Sequence, residues 1–255
     1  MSATPKGCSI NSTRIGEGEF RTTHWTVVLA ASAANTPGAE AAMAQLCKVY
    51  WRPLYVFVRR LGHGTHDGED LVQAFFAKIL EKHYLSGITR EGGKFRSYLL
   101  KMLKHFLANE WDRAQTQKRG GGNSFLSLDS EAGRGHEQDL AGSCESPLDL
   151  IFDREWALTL LEHVMKRLQE EYRFDKKGAL FERLQFSLSG SKADVSYQEL
   201  GGSLGLSESA VKVSIHRLRK RYGELLREQI SQTVATPEEV QEEIRYLISI
   251  VATPV

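Results

Sequence analysis

The sequence predicts an all-α protein: two helical domains joined by an acidic, Gly-rich linker, with a helix-turn-helix and one extra helix near the C-terminus. Three observations lead there. From Thr23 onward apolar residues recur at steps of three and four, the period that gathers them on one stripe of a helix, and no segment reads as a strand. Residues 120–150 interrupt that pattern with six glycines, six acids and a single basic residue, Arg134, the composition of a flexible tether. Helical periodicity then restarts at Pro147.

Taken in order, residues 1–22 are polar and rich in Gly, Ser and Thr, and are expected to be disordered. "HWTVVLAAS" is a short apolar helix. "AEAAMAQLCKVYWRPLYVFVRRLG" has helical spacing, with Pro53 expected to kink or break it. Asp67 or Asp70 is placed to cap "DLVQAFFAKILEK", where Leu71, Phe75 and Ile79 form one apolar row and Val72, Phe76 and Leu80 another. After a Gly-punctuated loop comes a long basic helix, "KFRSYLLKMLKHFLANEWDRAQTQKR", with Phe95, Leu99, Met102 or Leu103, and Phe106 turned inward. These elements make a first domain over 23–119, followed by the linker over 120–149.

The second domain, 150–232, opens with "PLDLIFDREWALTLLEHVMKRLQEEY", with Pro147 suited to a first helical turn. A short helix near 177–189 and "SYQELGGSLGL" lead to the helix starting at Ser207. In the extension, 233–255, Thr236, Pro237 and Glu239 form a capping-box pattern, and Val240, Ile244, Leu247 and Val251 form a stripe.

Bulk composition excludes more than it assigns. A net charge of +1 over 255 residues gives no general attraction to polyanions, so a nucleic-acid partner must be argued from local charge. Cys8, Cys47 and Cys144 are widely spaced with no CxxC pair, which disfavours a disulfide framework and a zinc site and fits a reducing cytoplasm. There is no export-type apolar core near the N-terminus, and no run near the ~20 apolar residues that span a bilayer. The expectation is a cytoplasmic protein with no membrane partner, no metal and no other cofactor.

Local charge is more informative. Between 212 and 221 lie five Lys or Arg and no acid. Val211, Ile215, Leu218, Tyr222 and Leu225 form an inward stripe, and Lys212, His216, Arg219 and Lys220 fall outside it. Gly201 and Gly205 lie four apart ahead of this helix, and Ser207 and Glu208 suit its N-cap and first turn. A small residue where two helices approach, a glycine in the turn and a capped basic second helix are what a helix-turn-helix needs. A helical hairpin with a solvated basic face is the plain alternative; the three coinciding signals favour DNA. Ser207, Glu208, Ser209, Lys212, Val213 and His216 would then meet base edges, while Arg217, Arg219, Lys220 and Arg221 would meet phosphates.

A second basic segment, Lys94 to Arg119, has seven Lys or Arg against two acids, with aromatics interleaved. Unpaired bases stack on rings and phosphates need cations, so this composition suits single-stranded nucleic acid. Phe95 and Phe106 read as core, whereas Lys101, Lys104, Trp111, Arg113, Lys118 and Arg119 are better DNA ligands. Enzyme-like patterns are weak. "HGTHDGED" carries His63, His66, Asp67 and Asp70 at a spacing that matches no ligand set. "TREGGKFRS" lacks the Ser/Thr, the glycine spacing and the preceding strand of a phosphate loop.

In their order these elements resemble bacterial RNA polymerase sigma factors of the small ECF (extracytoplasmic-function) class, over roughly residues 23–230. "DGEDLVQAFFAKIL" is similar to the family's D-x-E-D-L-x-Q-x-x-F helix, "KFRSYLLKMLKHFLANEWDR" to its −10 segment, and "VSYQELGGSLGLSESAVKVSIHRLRKRYGELL" to its −35 helix-turn-helix. The resemblance implies that Asp67, Glu69, Asp70 and Gln73 contact core RNA polymerase at the β′ clamp, with β as a further contact. It implies −10 recognition or melting by Lys101, Lys104, Asn109, Trp111, Asp112 and Arg113. It assigns −35 binding to Lys212, His216, Arg217, Arg219 and Lys220. The acidic tether would thread through the polymerase near its active-site cleft. Promoter DNA and an anti-sigma factor or other regulator are the implied partners, and no catalysis is implied.

The long linker, the large second domain and the helix after Thr236 depart from the family pattern. The tail is expected to pack on the C-terminal domain and control exposure of its basic helix. Two rival readings stand beside this one: a stand-alone helix-turn-helix regulator dimerising through its tail, and a metal-dependent hydrolase centred on His63 and His66.

Overall fold

The computed structural model describes residues 25–33, 38–118, 146–188 and 196–253. The segment 1–22, most of the acidic linker and Arg119 lie outside the described residues. Among those described, the protein is all-α, with no strand. The helices are α1 (Trp25–Ser32), α2 (Ala39–Arg60), α3 (Thr65–Lys82), α4 (Phe95–Lys118), α5 (Pro147–Phe174), α6 (Gly178–Leu184), α7 (Tyr197–Leu204), α8 (Glu208–Ser231) and α9 (Glu239–Ala252). Short 3-10 turns occupy Arg90–Gly92 and Gln185–Leu188. No helix among the described residues is long and apolar enough to cross a membrane.

Local chemistry accounts for several boundaries. Ser146 accepts from the Asp149 N–H while the Asp149 carboxylate accepts from the Ser146 N–H, a capping box that starts α5 with Pro147 in the first turn. The same reciprocal pair, Ser196 with Glu199, starts α7 and escaped the sequence reading. Ser207 caps α8 as expected, accepting from the Ala210 N–H.

Four local expectations differ from the structure. Pro53 does not break α2, which runs unbroken from Ala39 to Arg60. A proline deletes one backbone hydrogen bond, and the buried residues on both sides of it, Val49, Tyr50, Leu54 and Phe57, hold the helix together. Neither Asp67 nor Asp70 caps α3: the helix starts earlier, after Gly64, and Asp67 sits in its first turn. The Thr236 capping box is absent, because α9 starts only at Glu239 and the Glu239 carboxylate accepts instead from the Ala235 N–H. Leu80 also leaves its expected row and is exposed, while Val72 and Phe76 are buried.

Among the described residues the buried apolar side chains form two clusters. The larger joins α1–α4, the first half of α5, Ile230 at the end of α8, Val234, and Ile244 and Leu247 of α9. The smaller joins Val164 and Leu168 of α5 to α6, α7 and most of α8. α5 therefore belongs to both, and Phe152 meets Phe57 of α2 edge-on, ring centroids 6.5 Å apart. Within the first cluster Phe95 packs edge-on against Trp25 and Tyr50, and Phe106 meets Phe75.

The C-terminal segment is tied to the first cluster by polar bonds as well. Arg90 donates to the carbonyls of Val234 and Ser231 at 2.8 and 3.0 Å, and the Trp25 N–H donates to the Gln232 carbonyl. The tail thus packs against α5, the end of α8 and the α4 start, away from the exposed basic face of α8.

Candidate nucleic-acid interface

The α7–α8 corner is built by two glycines with different tasks. Gly205 ends α7 at φ +67°, a left-handed conformation that favours glycine. Gly201 is buried one turn earlier, and a Cβ there would stand 2.5 Å from the Leu206 carbonyl oxygen. The Leu206 N–H donates to the Gly201 carbonyl at 2.9 Å, closing the corner. Val211, Ile215, Leu218 and Leu225 are buried beneath α8, so its register is set by packing.

That register turns the other side outward. Ser207, Glu208, Ser209, Lys212, Val213, His216, Arg217, Arg219 and Lys220 are all exposed. Lys212 lies 2.7 Å from Glu208 one turn back, and that hydrogen bond and charge attraction raise its pKa. Arg219 donates through Nε to the Ser187 carbonyl at 3.0 Å, which steadies its stem. Arg221, its side chain 40% exposed, already makes a two-pronged pair with Glu171 of α5, both bonds 2.7 Å, and a further one with Glu224.

α4 carries the second basic face, on the other cluster. Lys101 is exposed, Trp111 is 64% exposed, and Asp112 is exposed. Trp111 lies seven residues after Lys104, two turns on along the same side of the helix. Asn109 is half-buried. Lys104 is 2.6 Å from Asp149 of α5, and Arg113 is 2.6 Å from Glu110 on its own helix. Lys118 is the last residue of α4, and Arg119 is outside the described residues.

The acidic start of α3 is the third face. Asp67, Glu69, Asp70 and Gln73 are all exposed, while Val72, Phe75, Phe76 and Ile79 anchor the helix. Gly68 is buried where α3 meets Tyr55 and Arg59 of α2. Asp67, in the first turn, also complements the helix dipole, so part of its role is structural. His66 sits 4.0 Å from Glu69, and no three His, Cys, Asp or Glu side chains gather as a metal site among the described residues.

One charged cluster was missed by sequence reasoning. Arg96 of α4, 2% exposed, lies 3.1 Å from Asp153 of α5 and 2.5 Å from Glu243 of α9. The second Glu243 oxygen is 2.6 Å from Lys94. The Tyr246 hydroxyl donates to Asp153 at 2.6 Å, and the guanidinium lies over the Trp156 ring. Burial alone would raise the Glu243 pKa, but Arg96 and Lys94 outweigh it and hold the carboxyl below its ordinary value. The available signal was position: Glu243 lies within the α9 stripe, between Val240 and Leu247.

Comparison of the chain with protein families, with curated proteins and with solved structures found no match.

Proposed function

We propose that this chain is a sigma factor of the ECF class, which binds core RNA polymerase and directs promoter recognition and melting. The observation that supports this best is the pair of exposed cationic faces, on α4 and on α8, carried by two different hydrophobic clusters. On this reading residues 23–119 and 150–232 act as two domains on an acidic tether, and α7–α8 is a helix-turn-helix. The α3 face (Asp67, Glu69, Asp70, Gln73) docks on the β′ clamp. The α8 face grips the −35 element, and Lys101, Trp111 and their neighbours capture unpaired bases of the −10 element. The protein works in the cytoplasm through binding alone, with no covalent step of its own. Capture offsets unstacking, which costs on the order of a few kcal/mol per base step.

Two measurements test it. The full chain should co-purify with core polymerase, which a stand-alone regulator need not do. In promoter binding by the holoenzyme, Arg219→Ala should weaken all sequences alike, since phosphate contacts carry no sequence information, and should flatten the salt dependence. Lys212→Ala and His216→Ala should change preference among −35 sequences, by about 1–3 kcal/mol at the affected base pair. Equal losses on every sequence for all three would contradict the assignment.

A further inference from the structure

The basic residues of α4 do not all face solvent on equal terms. Lys101 is exposed, and Arg113 pairs only within its own helix. Arg96 and Lys104 of α4, and Lys94 immediately before it, are held from outside. Asp149, in the first turn of α5, lies 2.6 Å from Lys104. Glu243 of α9 lies 2.6 Å from Lys94 and 2.5 Å from Arg96, and Asp153 of α5 completes the Arg96 pair at 3.1 Å. Every one of these acids comes from the C-terminal half of the chain.

The three pairs differ in kind. Arg96, with a side chain 2% exposed, is a fixed anchor between α4, α5 and α9. The Lys94 and Lys104 side chains are 38% and 43% exposed, so each ammonium borders solvent while a carboxylate occupies its best-placed partner position. A carboxylate and a phosphate oxygen make the same demand on a lysine: one negative charge at hydrogen-bond distance.

We infer that Asp149 and Glu243 form a built-in brake, standing in for phosphate at Lys104 and Lys94 so that the free protein grips single-stranded DNA weakly. The inference rests on the sigma-factor reading, in which α4 is the element that meets unpaired promoter DNA. DNA then engages the full cationic face of α4 only when these two pairs open. Contact with polymerase supplies binding energy from which that opening can draw. The brake lies on α4, and the α8 face is untouched by it.

Binding of a short fluorescein-labelled single-stranded DNA to the full-length protein, followed by anisotropy over a salt series, tests this. Asp149→Asn and Glu243→Gln remove the competing charges with little change of shape. Each should bind about three- to tenfold more tightly than wild type at low salt, and the slope of log affinity against log salt should steepen by about 0.7 per lysine released. Adding Lys104→Gln to Asp149→Asn should abolish the gain, which a nonspecific loosening would not do. Glu243 lies in a buried network, so a melting curve accompanies its variant; if that variant is unfolded, the Asp149→Asn arm decides. Asp149→Asn binding no more tightly than wild type overturns the brake. Wild-type protein with core polymerase is assayed for promoter-specific transcription alongside: activity there with no gain in the variants overturns the brake alone, whereas no activity overturns the sigma-factor reading and the brake with it.

Discussion

A methyl group at position 201 has nowhere to go. Its nearest neighbour would be a backbone carbonyl, that of Leu206 at 2.5 Å, and backbone cannot swing aside as a side-chain end can. Gly201→Ala should therefore push α7 away from α8 and cost about 2 kcal/mol in thermal or denaturant unfolding, as overpacked sites do. Gly205→Ala meets open space and bears only the strain of φ +67°, about 1 kcal/mol. Equal costs would show that the corner is looser than described. Both glycines were legible because a turn and a close approach leave a local mark. Glu243 and Arg96 were not, because long charged side chains are almost always solvated, and only tertiary packing brings these two together. The charges facing Glu243 are Lys94 and Arg96, with Asp153 beyond them. Its folded pKa is depressed, so its contribution to stability is complete above the ordinary value of 4.5 and is lost as pH falls through the lower folded value. Acid unfolding of wild type should accordingly be steeper below pH 4.5 than that of Glu243→Gln, by about one proton, in melting curves across the acid range. Superimposable acid limbs would count against the buried pair.

The helices themselves were largely legible, since each apolar stripe is a property of a dozen consecutive residues. The α4 and α8 stripes are buried as their spacing implies: Phe95, Leu99, Leu103 and Phe106 on one, Val211, Ile215, Leu218 and Leu225 on the other. What periodicity cannot say is which stripe a helix packs against. α9 illustrates the gap, because its stripe suits any apolar surface, and the structure seats it against α5, α8 and the start of α4. Pro53 leaves α2 unbroken for a related reason: the buried residues around it outweigh one missing hydrogen bond. Removing residues 236–255 should therefore destabilise the first cluster as well as the tail. It strips Ile244 and Leu247 from the core and leaves Arg96 with Asp153 alone, and breaking a buried pair costs about 3 kcal/mol or more. Hydrogen exchange should rise in α4 and the first half of α5; unchanged protection there would place the tail elsewhere.

Across the whole molecule, α5 gives its first half to one cluster and its second half to the other, while α9 and the Arg90 bonds tie the C-terminal segment to α1–α4. The two cationic faces thus sit on two clusters that share α5, and the proposed function gives the α8 face the duplex and the α4 face, with its exposed Trp111, the unpaired bases. The acidic α3 start offers a third, separately placed contact. The measurement that tests this account most directly is run-off transcription by core RNA polymerase, with and without the full-length protein, on templates that vary the promoter. The account predicts initiation from a defined start that depends on the added protein and disappears when Asp67, Asp70 and Gln73 are replaced together. Transcription that is indifferent to the protein on every template would contradict it.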